Sequence, residues 1–79
     1  MKEIQPITIL NQKATLLNIS IIQDDLKESA IFYYQVKNDN LQIVASGNID
    51  IVGLDYENWT NNEYAWNFVA DKLGLKIIN

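Results

Sequence analysis

The sequence contains no cysteine, no histidine and no arginine, and each absence removes a class of function. Without cysteine the chain has no disulfide, no thiolate nucleophile and no cysteine-ligated zinc site. Without histidine it lacks the side chain that most often moves protons near neutral pH, so carboxylates, lysine, tyrosine and hydroxyls are the remaining candidates. We therefore expect a protein that is not an enzyme and that uses no cofactor.

Positive charge is also scarce, with six lysines against ten acidic residues and a net charge of −4. Nucleic-acid binding relies on clustered Lys and Arg, whereas the lysines here lie singly along the chain. The apolar stretches are too short to cross a bilayer, and no charged and apolar segments form a secretion signal. We expect neither nucleic acid nor membrane as a partner, and no secretion by a signal peptide.

The chain of 79 residues, with 48% hydrophobic side chains, is expected to form a single small domain over residues 1–79. A chain near this size buries only about 60% of the surface that its unfolded form exposes. With one proline and three glycines, it is neither fibrous nor of low complexity. Its stability therefore has to come from one modest core.

Four stretches read as β-strands. Residues 4–10 are apolar but contain Pro6, which cannot donate to a strand ladder, so we expect an edge strand or an extended arm within residues 1–10. Residues 14–23, Ser29–Lys37 and residues 41–52 follow, separated by turns rich in Asn and Asp.

Alternation assigns one side of each strand to the core. Gly47 interrupts the last strand and indicates either a bulge or a place where an aromatic ring lies over bare backbone. The residues expected to face inward are Thr15, Leu17, Ile19 and Ile21, then Ala30, Phe32, Tyr34 and Val36, then Leu41, Ile43, Ala45, Ile49 and Ile51.

The only amphipathic helix is expected over residues 61–73, with Thr60 as N-cap and Glu63 completing a capping box. Gly74 fits the left-handed residue after the helix. Residues 56–59 are suited to a short helical turn, and residues 76–79 to a tail along the sheet. The predicted fold is therefore α+β, an antiparallel β-meander of three to four strands with one C-terminal helix packed on one face.

Carboxylates offer two candidate sites, and both have a simpler interpretation. Asp55 and Glu57 could act as an acid and a base, but acidic residues at a turn and helix start favour the helix dipole and solvent. Asp24, Asp25 and Glu28 could ligate calcium, but they lack the spacing and glycine of an EF-hand loop. We assign neither a catalytic site nor a metal site.

One helix can cover only one face of the sheet, which leaves the other face uncovered. A monomer rarely exposes a large apolar patch. Either residues 4–10 fold over this face, or a second subunit or a partner protein covers it; the sequence favours neither. The apolar residues assigned to this face are Leu16, Ile22, Ile31, Tyr33, Val44 and Val52.

The aromatic residues near the helix divide into two groups. Trp66 lies on the apolar helix face and is expected in the core. Trp59 and Tyr64 cannot easily share that face and are candidates for contact with a partner. The predicted partner-binding residues are therefore Leu16, Ile31, Tyr33, Val44, Trp59 and Tyr64.

The C-terminal third resembles a group of known proteins. A strand that ends in Gly53-Leu54-Asp55-Tyr56, then Trp59, and a helix that closes as Ala70-Asp71-Lys72-Leu73-Gly74-Leu75 are similar to small uncharacterised proteins encoded in bacteriophage and prophage structural clusters. The opening Gln5-Pro6-Ile7-Thr8-Ile9 also resembles their start. The resemblance brings no catalytic residue and implies a role in the virion or its assembly.

These observations favour a non-enzymatic phage structural or adaptor module that acts through protein–protein association. Its expected partner is protein, either a second copy in a homo-oligomer or a phage assembly component, and its expected location is the virion or the host cytoplasm. The alternative is a small phage-encoded binder or inhibitor of a host protein. That alternative would use the acidic surface and exposed aromatic side chains.

Overall fold

Four antiparallel strands lie side by side in chain order in the computed structural model, which describes residues 1–78. Two helices follow the sheet. The elements are β1 (Lys2–Ile9), β2 (Gln12–Asp24), β3 (Ser29–Lys37), β4 (Ile43–Val52), α1 (Gly53–Asn58) and α2 (Asn62–Leu73).

The predicted α+β meander is confirmed, but two helices follow the sheet where one was predicted. The short helical turn expected at residues 56–59 lies mostly within α1. The short helix α1 begins at Gly53, which has a φ of 60°, and ends at Asn58 before Trp59. It has no buried residue and no side-chain cap. The sequence therefore shows neither the apolar periodicity nor the capping residue by which a helix is predicted. The chain turns through it from the sheet into α2.

The core lies between the sheet and α2. Its largest fully buried side chains come from all four parts of the sheet and from the helix. The helix contributes small residues, Ala65 and Ala70, beside Val69. These five largest fully buried side chains are Phe32, Ile4, Leu17, Ile51 and Val69.

Alternation fails in the first half of β2, where Ala14 is buried and Thr15, which was expected to be buried, is not. The pairing of β1 with β2 shifts register between Glu3 and Ile7, opposite this segment. The shift turns Thr15 away from the core, and its hydroxyl donates to Asp39 at the β3–β4 turn. Burial of both Ala14 and Leu17, three residues apart, follows from this irregularity.

Ile21, Leu41 and Ile43 were expected inside and are instead exposed. For Ile21 the cause is length: the 12 residues of α2 span about 18 Å, whereas the 13 residues of β2 span about 43 Å, so the helix does not cover this end of the sheet. Ile43 is exposed because the pairing of β3 with β4 shifts register, which sets it opposite Lys37 on the other face. Leu41 also lies outside β4, in the turn, with a φ of 64°.

The first strand lies within the sheet and does not fold over its second face. Ile4 is buried in the core, and the tail pairs with the free edge of β1. The amide of Gln5 donates to the Lys76 carbonyl at 2.8 Å, and the amide of Ile78 donates to the Glu3 carbonyl at 3.1 Å. The expected tail along the sheet is thus present through residue 78, while Asn79 lies outside the described residues.

The ends of α2 are capped as its sequence suggests, one residue away from the predicted start. Asn61, and not Thr60, is the N-cap, and its side chain accepts a hydrogen bond from the Tyr64 amide at 2.9 Å. Both residue types cap helices well, so local sequence did not separate them. At the other end Gly74 has a φ of 71°, and the amide of Leu75 returns to the Ala70 carbonyl at 2.8 Å.

Gly47 is the place where an aromatic ring covers bare backbone. It pairs with Tyr34 across the sheet, and a Cβ at this position would lie 2.9 Å from the Tyr34 hydroxyl. A bulge was the other expectation for Gly47. The irregularity of β4 lies instead at Val44, where the pairing with β3 shifts between Val36 and Lys37.

Candidate functional site: the uncovered sheet face

One face of the sheet has no other element packed on it among residues 1–78. Phe32, Tyr34 and Val36 pack on the core side with α2. The alternate residues of β3, Ile31, Tyr33 and Gln35, therefore project to the opposite side. β1 and the tail lie in the plane of the sheet, while α1 and α2 pack on the core side. We call the opposite side the outer face; its residues include Leu16, Asn18, Ser20, Ile31, Tyr33, Gln35, Ser46, Asn48, Asp50 and Val52.

The apolar side chains of the outer face lie at its margins. Leu16 pairs with Lys37 near one end, and Ile31 pairs with Asp50 near the other. Leu16 and Ile31 are half-buried, whereas Val52, diagonal to Ile31, is exposed. Each margin therefore offers aliphatic surface that a partner could remove from water.

The centre of the outer face is polar, whereas the sequence analysis assigned mainly apolar residues to this face. Tyr33 is half-buried there and pairs with Ser20 on one side and Asn48 on the other. Hydrogen bonds from Ser46 and from the Gln35 amide, the latter at 3.5 Å, lower the pKa of the Tyr33 hydroxyl. The centre thus presents an oriented phenol within a set of small polar groups.

Val44 was assigned to this face, but it packs against the core. It lies at the register shift in which Val36 pairs with Ala45 and Lys37 pairs with Ile43, so it has no paired residue in β3. Its half-buried side chain contacts the core cluster. Strict alternation could not place it, because the shift depends on how the β3–β4 turn closes.

Trp59 also packs within the molecule. Its ring meets Phe32 edge to face, with centroids 5.0 Å apart and planes at 76°, and it meets Tyr56 at 5.9 Å and 78°. Such pairs favour packing beyond the area that they bury. Trp59 is half-buried on the core side, so the structure separates it from Leu16, Ile31 and Tyr33.

Tyr64 is likewise half-buried on the core side. Its hydroxyl donates to Asp55 at 3.0 Å, and this bond raises the pKa of Tyr64. The bond joins the start of α2 to α1. The six predicted partner-binding residues therefore divide into two groups. Three lie on the outer face, Leu16, Ile31 and Tyr33, and three lie on the core side, Val44, Trp59 and Tyr64.

Trp66 was expected in the core and lies at its border. The residue is half-buried, and the ammonium of Lys2 lies 5.6 Å from the centroid of its ring. A cation over an indole face is a favourable arrangement near solvent. The buried helix positions belong instead to Ala65, Val69 and Ala70.

In the acidic loop between β2 and β3, the carboxylate of Asp25 accepts hydrogen bonds from the loop's own backbone. Oδ1 of Asp25 accepts from the amides of Lys27, Glu28 and Ser29 at 2.8 to 3.1 Å, and Oδ2 accepts from the Ser29 hydroxyl. These donors lower the pKa of Asp25 from 3.8 to about 2. Within residues 1–78, no three acidic side chains come together in a way that could hold a metal ion.

Three leucines at the hairpin turns were not singled out by the sequence. Leu10, Leu26 and Leu41 all have positive φ, between 50° and 64°, a conformation that favours glycine or asparagine. All three side chains are exposed. The turns themselves were signalled by Asn and Asp, but nothing in the local pattern indicates a left-handed leucine.

No helix of the described residues is both long and apolar enough to cross a membrane. Neither a protein-family model, a curated protein nor a solved structure matches this chain. Function is therefore inferred from the geometry of the outer face and of the sheet edges.

Proposed function

We propose that the protein is a non-enzymatic structural or adaptor module of a phage particle or of its assembly, and that it acts by docking another protein on the outer face. The observation that carries this proposal is the absence of any packed element on that face among residues 1–78, although it carries Leu16, Ile31 and Tyr33. The phage context rests on the sequence resemblance alone.

The margins of the outer face supply the driving force for docking. Full burial of a leucine or isoleucine side chain contributes about 1.5 to 3 kcal/mol. Leu16 and Ile31 are already half-buried, so a partner gains only part of that amount from each. Val52 is more exposed and adds further apolar area.

The polar centre supplies specificity. A partner that covers Tyr33, Gln35 and Ser46 has to provide hydrogen-bond groups in return, because unsatisfied buried polar groups cost about 1 to 3 kcal/mol each. Tyrosine at the centre of a contact surface is a frequent source of binding energy. The proposed partner therefore presents an apolar rim and matching polar groups.

Capture from phage particles tests this function. The immobilised protein is incubated with disrupted particles purified from the strain that carries the gene. We expect wild type to retain a particle protein and Ile31→Lys to lose it, because lysine would place a charge in the contact. Asn67→Lys, on the exposed side of α2, is the matched control and should bind as wild type does. A wild-type protein that retains no particle protein would contradict the proposal.

A host-protein binder is the second candidate, and one end of the sheet favours it. Asp24 ends β2, and Asp25 and Glu28 lie in the loop that follows it. Asp24 contacts α1, which carries Asp55 and Glu57. Two exposed leucines, at positions 26 and 54, accompany these acids, a combination suited to a basic surface with apolar pockets.

The two candidates use different surfaces, so paired variants separate them. A double variant Leu26→Ser and Leu54→Ser should lose a host protein captured from lysate while it keeps any captured particle protein. Ile31→Lys should show the opposite pattern. Loss of both proteins from both variants would point to damaged folding, which circular dichroism would reveal.

A further inference from the structure

The two edges of the sheet are protected very differently. The free edge of β1 carries Pro6 and is paired with the chain's own tail through Ile4 and Ile77. The free edge of β4 is ten residues long, has no proline and no lysine, and bears a single charge, at Asp50. No strand within residues 1–78 pairs with it. Exposed edges of this kind are usually blocked, because they accept another strand.

We propose that the edge of β4 pairs with β4 of a second copy, antiparallel, to form a continuous sheet of eight strands. A two-fold axis perpendicular to the sheet brings the two edge strands together in this direction and keeps the helices of both copies on the same side. Residues directly opposite each other then share a face, so their numbers differ by an even number.

The register centred on Asn48 gives matched pairs on both faces. On the helix side Ala45 would oppose Ile51 and Gly47 would oppose Ile49, so a small residue meets a large one each time. On the outer face Asn48 would meet its own copy. Ser46 would oppose Asp50, so the only charge of the strand faces a polar side chain.

The neighbouring register is poorer. A pairing centred on Gly47 would set Asp50, on the outer face, opposite Val44, whose side chain packs on the core side, so the carboxylate would have no polar residue across the interface. The register centred on Asn48 sets Ser46 opposite Asp50. It also keeps the two Asp50 carboxylates four residues apart along the strand, which is about 13 Å.

Exposed apolar side chains at both ends of β4 support a second copy as the occupant. Leu41 and Ile43 are 57% and 53% exposed before the strand and at its start, and Val52 and Leu54 are 56% and 75% exposed at its end and just after it. Antiparallel pairing brings the 41–43 segment of one copy beside the 52–54 segment of the other. It does so twice, once on each side of the axis, which a single foreign strand cannot do.

The interface is small, which sets the expected strength. In this register residues 44–52 of each copy pair, nine residues of β4 in a contact about 30 Å long. A contact only one strand wide buries a small area, for which weak association is usual. We expect a dissociation constant on the order of 10 µM or weaker. This inference adds a self-association site to the proposed function, on a surface distinct from the outer-face margins, and either can hold without the other.

A single introduced cysteine tests the register, since the natural chain has none. Asn48→Cys would place two thiols directly opposite each other, with Cα atoms about 4.5 to 5.5 Å apart, within the range for a disulfide. Asp50→Cys lies on the same strand and face but about 13 Å from its copy, and it is the matched control. We expect mild oxidation to convert most of Asn48→Cys and little of Asp50→Cys into dimer.

Association without cysteine gives an independent measurement. Asn48→Lys should be monomeric by analytical ultracentrifugation, as should Asn48→Asp, and an equimolar mixture of the two should dimerise. Wild type should show a concentration-dependent dimer. The proposal is overturned by a wild type that remains monomeric at about 1 mM, or by equal cross-linking of the two cysteine variants.

Discussion

The hydroxyl of Tyr56 donates a 2.7 Å hydrogen bond to Oδ1 of Asp24, 32 residues earlier in the chain. The same carboxylate oxygen accepts from the amide of Leu26 at 2.8 Å. Asp24 thus joins α1 to the loop between β2 and β3. This bond is the main reason why the pKa of Tyr56 is raised to about 12.

The Tyr56 bond predicts a loss of stability at alkaline pH. Because the pKa is raised from 10.0 in the unfolded chain to about 12 in the fold, the bond contributes its full stability below pH 10. That contribution should fall as the pH rises from 10 to 12. Urea denaturation of wild type and Tyr56→Phe across this range should show a difference that shrinks with pH, and a constant difference would contradict it.

The lowered pKa of Asp25 predicts a loss of stability at acid pH. Its pKa is lowered from 3.8 to about 2, chiefly by the amides of Glu28, Lys27 and Ser29. The carboxylate therefore stabilises the fold above pH 3.8, and that stability is lost as the pH falls toward 2. Asp25→Ala should melt below wild type at pH 7, and the two melting temperatures should converge near pH 2. Glu28→Ala, in the same loop, is the control.

The positive φ of Leu10 predicts that a substitution at this position will stabilise the fold. It occupies the first position of a two-residue turn with a φ of 50°, followed by Asn11 with a φ of 67°, where asparagine and glycine are favoured. Leu10→Asn should raise the free energy of unfolding by about 1 kcal/mol. Leu54→Asn, an exposed leucine in α1, should give no gain. If both substitutions have the same effect in urea denaturation, relief of backbone strain is not the cause.

Gly47 and Tyr34 should be coupled energetically. A Cβ at position 47 would lie 2.9 Å from the Tyr34 hydroxyl, so Gly47→Ala should destabilise wild type by about 1 to 3 kcal/mol. In a Tyr34→Leu background the ring is gone, and alanine should then stabilise the strand by about 0.5 to 1 kcal/mol. A double-mutant cycle measures this change of sign. Additive effects would show that the two residues are not in contact.

Much of the sheet could be predicted because its signals are local. The bounds of β3 agree with the sequence, since Ser29–Lys37 alternates regularly and is flanked by turn residues. β4 begins two residues later than expected. Asn38 explains the difference, because its side-chain oxygen accepts from the amides of Asn40 and Gln42 and extends the turn.

The features that the sequence missed depend on contacts between distant segments. The register shift that places Val44 against the core arises from pairing with β3, and the one that buries Ala14 arises from pairing with β1. The apolar residues Leu16 and Ile31 could be assigned to the outer face by alternation alone. The polar surroundings of Tyr33 could not, because they require the partners of two neighbouring strands to be known.

The most direct test of the docking account is a binding titration of the particle protein that wild type captures. Isolated partner is titrated against wild type, Tyr33→Ala, Ile31→Lys and the control Asn67→Lys. We expect Asn67→Lys to match wild type and each outer-face variant to bind at least about tenfold more weakly, as loss of a central contact requires. Equal affinity for all four proteins would show that the partner binds elsewhere and would contradict the account.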